Sequence, residues 1–351
     1  MRKLLFFITL LTLNSLLGQD KTPNIILLIG DGMGLTQISA GMYANDNSTA
    51  LEGFEYVGLS KTHAIKQLIT DSAASGTAMA CGVKTFNGAI GIDDKNQQHR
   101  SIIELCKERG YATGLIATSS IVHATPASFY AKVPSRKQYE EIALQLSQHN
   151  VDLFVGGGKK YFSKRSDDRN LIQEMSQYKF VKNFREFKNA TAEKIGFLTY
   201  NEEPPRKMEG RTPDLESLVE TSLQKMESLG APFFMMIEGS QIDWGGHANE
   251  TNYVITEFQE FNLTIQKVLD YAKADGNTLV IVTADHETGG FAITGGNLDL
   301  AQVKGDFNTK SHSASMVPVF SYGPNSELFK GIYENTAIFD KMWFTVQGAS
   351  E

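Results

Sequence analysis

This chain is poor in the features that would make classification quick. It has two cysteines, nine prolines and two tryptophans in 351 residues. Two cysteines cannot build a disulfide framework. Cys81 lies in a run of small residues and Cys106 in the apolar stretch 101–109, with no metal-ligand spacing to a histidine or to each other, so both read as small hydrophobes. Positive charge is not in excess: the formal net charge is -7 and the pI about 5.6. A global electrostatic grip on nucleic acid is therefore excluded. A phosphate-handling site is not, because bound divalent metals can dominate a local field. No apolar run is long enough to span a bilayer. Internal repeats and low-complexity tracts are also missing.

Residues 1–19 have the order of a secretory signal. Arg2 and Lys3 form a charged start, Leu4 to Leu13 an apolar core, and Gly18 a small residue before a cut at Gln19. No cysteine near the cut supports a lipid anchor. The mature chain is expected to be exported, periplasmic or secreted, without a membrane span.

The full sequence is 41% hydrophobic, enough for one large α/β domain or two small ones; a single domain over 20–351 is expected. Continuous apolar runs at Asn24–Gly30, Ala112–Ala117, Phe233–Ile237, Thr278–Thr283 and Val317–Ser321 read as buried strands. Helical segments separate them. Ser101 with Glu104 is a capping-box pattern. Thr212-Pro213 reads as a helix start with proline at the first helical position, stopping at Gly230. A long helix follows Asn249 and ends near Gly276, with Val254, Phe258, Phe261, Ile265, Val268 and Leu269 at helical spacing. This alternation predicts a largely parallel sheet with helices on both faces. Segment 158–211, charged, aperiodic and holding Pro204-Pro205, is expected to be a surface excursion over the sheet.

Chemistry gathers where the strands end, which is where open α/β sheets bind ligands. Gly30-Asp31-Gly32-Met33-Gly34 follows the first strand. His123-Ala124-Thr125-Pro126 follows the second. Glu238 to His247 follows the third, and Ala284-Asp285-His286-Glu287 the fourth; Ser311-His312-Ser313 precedes the last. Thr70-Asp71-Ser72-Ala73-Ala74-Ser75-Gly76-Thr77-Ala78 places one hydroxyl at the head of a small-residue helix, whose N-terminus favours negative charge. Either Asp71 or Ser72 could serve there as a helix cap. Asp31, Glu238, Asp243, His247, Asp285, His286 and His312 form an oxygen and imidazole set that suits zinc, with carboxylate and threonine oxygens suited to magnesium. Burying so many without a cation would be costly.

These motifs, in this order, resemble the alkaline phosphatases through nearly the whole mature chain. The carriers are Gly-Asp-Gly-Met-Gly at 30–34, Thr-Asp-Ser-Ala-Ala-Ser at 70–75, His-Ala-Thr-Pro at 123–126, Ser-Arg-Lys at 135–137, Glu-Gly-Ser-Gln-Ile-Asp at 238–243 with His247, Thr-Ala-Asp-His at 283–286, and His312. The resemblance implies an α/β three-layer sandwich that hydrolyses small phosphate monoesters with two zinc ions and one magnesium, as a homodimer. It implies Ser72 as nucleophile and Arg136 as the guanidinium that grips phosphate. Asp243, His247 and His312 would hold one zinc. Asp31, Ser72, Asp285 and His286 would hold the other. Asp31, Thr125 and Glu238 would hold magnesium. His123 and Trp244 stand where some bacterial members carry Asp and Lys, which bears on magnesium and phosphate affinity. A phosphodiesterase, sulfatase or phosphomutase relative on the same fold, and an exported binding protein without turnover, are the competing readings. The combination of Thr-Asp-Ser-Ala-Ala-Ser with Thr125, Arg136 and Glu238 favours the monoesterase.

Overall fold

The computed structural model describes residues 22–348; the expected signal segment 1–19 lies outside the described residues. Fourteen strands occur among them: β1 Asn24–Gly30, β2 Tyr56–Lys61, β3 Ala112–Ser120, β4 Leu153–Gly157, β5 Lys179–Phe180, β6 Ile195–Leu198, β7 Phe233–Gly239, β8 Thr278–Thr283, β9 Glu287–Thr288, β10 Phe291–Asn297, β11 Gln302–Phe307, β12 His312–Ser313, β13 Val317–Tyr322 and β14 Gly331–Glu334. Ten of them form one sheet in the order β14-β2-β13-β8-β1-β7-β3-β4-β6-β5. All neighbours run parallel except β13, which is antiparallel to β2 and β8. The apolar runs read from the sequence are the central strands of this sheet.

Side chains alternate across a strand, so each central strand feeds two cores. Ile25, Leu27 and Ile29 of β1, with Phe234, Met236, Leu279 and Ile281, face the layer containing helices Ser72–Cys81, Ile102–Glu108 and Thr336–Gln347. Ile26 and Leu28, with Met235, Ile237, Val280 and Val282, face the layer of helices Leu215–Ser228 and Thr251–Asp275. Each such fully buried side chain contributes about 1.5–3 kcal/mol relative to exposure. Both cysteines are free and buried in the first core, and burial pushes the Cys81 thiol up to about 11.

Local signals explain most boundaries. Ser101 and Glu104 form the expected reciprocal cap, with Ser101 N donating to Glu104 Oε2 at 2.7 Å. The long helix Thr251–Asp275 buries Val254, Phe258, Phe261, Ile265, Val268 and Leu269. Two expectations change. The helix expected to begin at Pro213 begins at Leu215, because the Asp214 carboxylate accepts from Ser217 N at 2.7 Å and provides the cap. Segment 158–211 does more than pass over the sheet: it supplies β5 and β6, which extend the sheet beyond β4. Phe187 and Phe197, both within the segment, are buried with ring centroids 5.3 Å apart. Strands of two and four residues are too short to show a period, which is why the pattern hid them.

The parallel register brings the polar motifs together. Ile29 pairs with Glu238 and with Thr283, and Ala117 pairs with Glu238. The ends of β1, β3, β7 and β8 therefore lie at one level, and the polar motifs beyond them meet along one edge.

Candidate active site

Asp71 and Ser72 divide the two tasks that the sequence left open. Asp71 is the cap: its Oδ1 accepts from Ala74 N at 3.0 Å and its Oδ2 from Gly88 N at 3.0 Å. Ser72 is the first helical residue, so its hydroxyl is not consumed by capping. Ser72 Oγ stands 3.4 Å from His286 Nε2. All ten residues of this helix are buried, and its small side chains let it lie close against its neighbours. Arg136 is pinned beside it, with Nη1 donating to Asp71 Oδ2 at 2.9 Å and the backbone N to Gly88 O at 2.7 Å.

Asp31 follows β1 and is fully buried. The chain turns at once through Gly32, whose φ of +72° is left-handed and suits a residue without Cβ. Gly32 N donates to Asp285 Oδ1 at 3.1 Å, tying the first strand end to the fourth. Thr125 Oγ1 lies 3.5 Å from Asp31 Oδ2, and Ser119 Oγ lies 3.3 Å from Glu238 Oε2. Asp31 Oδ1 and Glu238 Oε1 are buried and have no hydrogen-bond partner, and Asp285 Oδ2 meets only His286 Nε2, at 3.1 Å. Unsatisfied buried carboxylate oxygens are rare and call for a ligand. Burial and the neighbouring acids, Asp285 first, raise the Asp31 carboxyl well above the usual range. Burial lifts Glu238 to about 7.

Helix Gln241–Ala248 places Asp243 and His247 one turn apart on one face. His247 Nε2 is 3.4 Å and His312 Nε2 3.5 Å from Asp243 Oδ1. His247 Nδ1–H donates to Lys310 O at 2.7 Å, and His312 Nδ1–H to Thr70 O at 2.8 Å. Each ring thus turns Nε2 inward, and the two Nε2 atoms face each other at 3.2 Å. The His286 and His312 rings stack at 3.5 Å. Burial opposes ionisation of Asp243, yet the His247 hydrogen bond and the charges of His286 and His312 hold it below the usual carboxylate range. Burial, then His286, lowers His312 to about 4. The hydrogen bond to Asp243 raises His247 to about 9.

His123 and Trp244 meet edge to face with centroids 6.0 Å apart. Burial and Arg136 depress His123 to about 3, leaving a neutral ring whose Nδ1 has no partner. Among the described residues three groups bring ligand atoms within 4.8 Å of one another: Asp243, His286 and His312; Asp31, Asp285 and His286; Asp31, His123 and Glu238. His286 thus reaches the Asp243 group as well as its own, and His123 lies within reach of Asp31 and Glu238. A cavity of about 550 Å³ opens onto Ser72, Arg136, Asp243, Trp244, His247 and His312. The structure therefore gathers all the residues singled out for chemistry. Sequence reasoning missed Thr288, whose hydroxyl contacts both Asp243 and His286; nothing in a lone threonine after the Asp285-His286 pair marks it.

A serine hydroxyl among clustered carboxylates and imidazoles, at the carboxyl edge of a parallel sheet, defines an oxyanion-handling α/β enzyme. The family model described as "Alkaline phosphatase" matches residues 22–305. Alkaline phosphatase 3 of Bacillus subtilis (strain 168) is 33% identical, covering 94% of this chain and 90% of its own length. Alkaline phosphatase 4 of the same organism is 34% identical, covering 91% and 88%. The solved alkaline phosphatase from the Antarctic bacterium TAB5 superposes with a TM-score of 0.88 at 42% identity, covering 95% of this chain and 100% of that one. The chain belongs to the alkaline phosphatase family and is a phosphoric monoester hydrolase.

Proposed function

We propose that this enzyme hydrolyses small phosphate monoesters through a phosphoserine at Ser72, with two zinc ions and one magnesium as cofactors. The observation that carries the reading is the placement of the Ser72 hydroxyl, at the first turn of a buried helix, 3.4 Å from His286 Nε2, which itself lies 3.1 Å from Asp285 Oδ2 and 3.6 Å from Asp31 Oδ1. The donor chemistry fits the metals: mixed imidazole and carboxylate sets suit zinc, and oxygen-rich sets suit magnesium. Asp243, His247 and His312 would hold one zinc, and Asp31, Asp285 and His286, with Ser72, the other. Asp31, Thr125 and Glu238 would hold magnesium. His123 is within ligand distance of that last group. A TAB5 variant with a histidine changed to Glu was solved with Mg bound in its M3 site, which supports a metal-dependent reading. When bound, the ions supply Lewis acidity and lower the pKa of coordinated hydroxyl groups.

The chain's own residues do the rest. Ser72 Oγ loses its proton to solvent and attacks phosphorus in line; the ester P–O bond breaks and the leaving alkoxide is protonated. Arg136 presents a planar fork to two non-bridging phosphate oxygens. Asp71 orients that fork through the 2.9 Å bond. The helix N-terminus adds favourable potential for the anion. Water then attacks the phosphoserine from the open side of the cavity, regenerating Ser72 and releasing phosphate. Trp244, where a lysine would add a cation, leaves Arg136 the principal fixed side-chain charge on the phosphate. Exported localisation, from residues 1–19, and a homodimer, from the family resemblance, complete the reading.

The test is the initial rate of hydrolysis of an aryl phosphate at alkaline pH on zinc- and magnesium-loaded protein, alongside Ser72→Ala. Fast turnover by the wild type, and loss of both turnover and phosphate labelling in the variant, is expected. Labelling that persists on another residue would refute the phosphoserine. Turnover of diesters or sulfates in place of monoesters would refute the substrate class.

A further inference from the structure

Thr288 is fully buried at the point where the two zinc-type groups meet. Its Oγ1 lies 2.5 Å from Asp243 Oδ1 and 3.2 Å from His286 Nδ1. A hydroxyl has one proton, and a carboxylate can only accept. The Thr288 proton therefore goes to Asp243, and its lone pair accepts from His286 Nδ1–H. This commits Nδ1–H to Thr288 and turns Nε2 inward, 3.1 Å from Asp285 Oδ2 and 3.4 Å from Ser72 Oγ, as the nitrogen that would meet a metal. Thr288 itself is held from every side. Its backbone N donates to Gly32 O at 3.2 Å and its O accepts from Gln37 Nε2 at 2.8 Å. In the β9–β12 ladder it is the register partner of His312. Glycines of two separate motifs close over it: a Cβ on Gly32 would lie 2.8 Å from Thr288 Oγ1, and a Cβ on Gly246 2.8 Å from Thr288 Cγ2.

We infer that Thr288 is the positioning residue that couples the two zinc sites, one hydroxyl holding a ligand of each. This rests on the metal assignment proposed above. It predicts a signature that a ligand of a single site would not give: loss of the hydroxyl weakens both ions together. Removing the partner of a metal ligand typically costs about 10–100-fold in metal affinity.

The experiment compares wild type, Thr288→Val, Thr288→Ser and Thr288→Ala. Zinc per chain is measured after equilibration against graded chelator, together with the cobalt-substituted absorption spectrum and the melting temperature of the metal-free protein. Thr288→Val keeps the branched shape and loses only the hydroxyl. It should lose at least about tenfold in affinity for both zinc ions and change the cobalt spectrum, with a metal-free melting temperature only a few degrees below wild type, from the unpaired His286 Nδ1–H. Thr288→Ser should stay close to wild type in affinity. Thr288→Ala supplies the same readout if the valine variant does not fold. Wild-type affinity for both ions in the valine or alanine variant would overturn the inference. So would loss of only one ion, or a serine variant as impaired as the valine one. Wild-type protein that takes up no zinc would instead overturn the metal assignment beneath it.

Discussion

Arg136→Ala separates holding phosphate from holding the fold. The guanidinium is the fork we assign to two phosphate oxygens, and its own anchor is Asp71. Removing one preorganised charged donor from a transition state costs about 10²–10³ in rate. In the ground state a lost charge-assisted hydrogen bond costs about 1.5–3 kcal/mol, a ten- to hundredfold weaker inhibition by inorganic phosphate. The fold should hardly notice. Asp71 keeps its bonds from Ala74 N and Gly88 N, so no buried carboxylate is orphaned. The Arg136–Asp71 pair is itself partly exposed, at 22% and 18% of the side chains. A stability loss of about 1 kcal/mol is expected, roughly 2 °C in a chain of this size. Steady-state kinetics on an aryl phosphate, phosphate inhibition and calorimetry on one preparation give all three quantities. Arg136→Lys should recover part of the binding, since it restores charge without the fork. A kcat/KM within about threefold of wild type, or a rate loss that tracks unfolding, would refute the assignment.

Other expectations concern the same site and its supports. Chelation should lower the melting temperature, and the gap from metal-loaded protein should widen as pH rises from about 5 to 9. The metal-free Glu238 carboxyl is raised from 4.5 to about 7, so stability from its protonated form is lost as pH climbs between those values. His247 is raised from 6.5 to about 9, and its contribution is lost across that higher interval; a constant or narrowing gap in calorimetry would contradict this. Trp244→Lys adds a cation at the cavity wall and should tighten inhibition by inorganic phosphate; unchanged inhibition would argue that Trp244 only packs. Gly41→Ala should destabilise by about 1–3 kcal/mol, because its Cβ would stand 1.9 Å from Phe258 Cδ1 across two helices. A denaturant midpoint equal to wild type would mean those helices separate freely.

How much of the fold and site was legible in sequence depended on repetition. The central strands were readable because each is an unbroken apolar run, and the long helix because its apolar positions recur along most of its length. β5 and β6 were not, since two and four residues carry no period. The helix at Leu215 shows the same limit differently: Pro213 is a stronger signal in sequence than Asp214, yet the carboxylate reaching Ser217 N decides the start. Metal-type residues stood out because all but His312 come after an apolar strand and their chemistry is distinctive. Thr288 did not, because its role exists only where Asp243, His286, Gly32 and Gly246 converge, and no linear spacing records that. His123 was readable as a neighbour of the magnesium group but not as a neutral ring with an unpartnered nitrogen, which depends on its burial beside Arg136.

The site is drawn from almost the entire length of the polypeptide, from Asp31 just past β1 to His312 in β12. On the assignment above, a chain emerging from the ribosome would complete the Asp31, Thr125 and Glu238 set first, the set ending at His286 second, and the set of Asp243, His247 and His312 only when β12 has emerged. Only that last set has to wait for nearly the whole polypeptide. If the assignment holds, that site would be filled by the metal available where folding finishes and not where synthesis began.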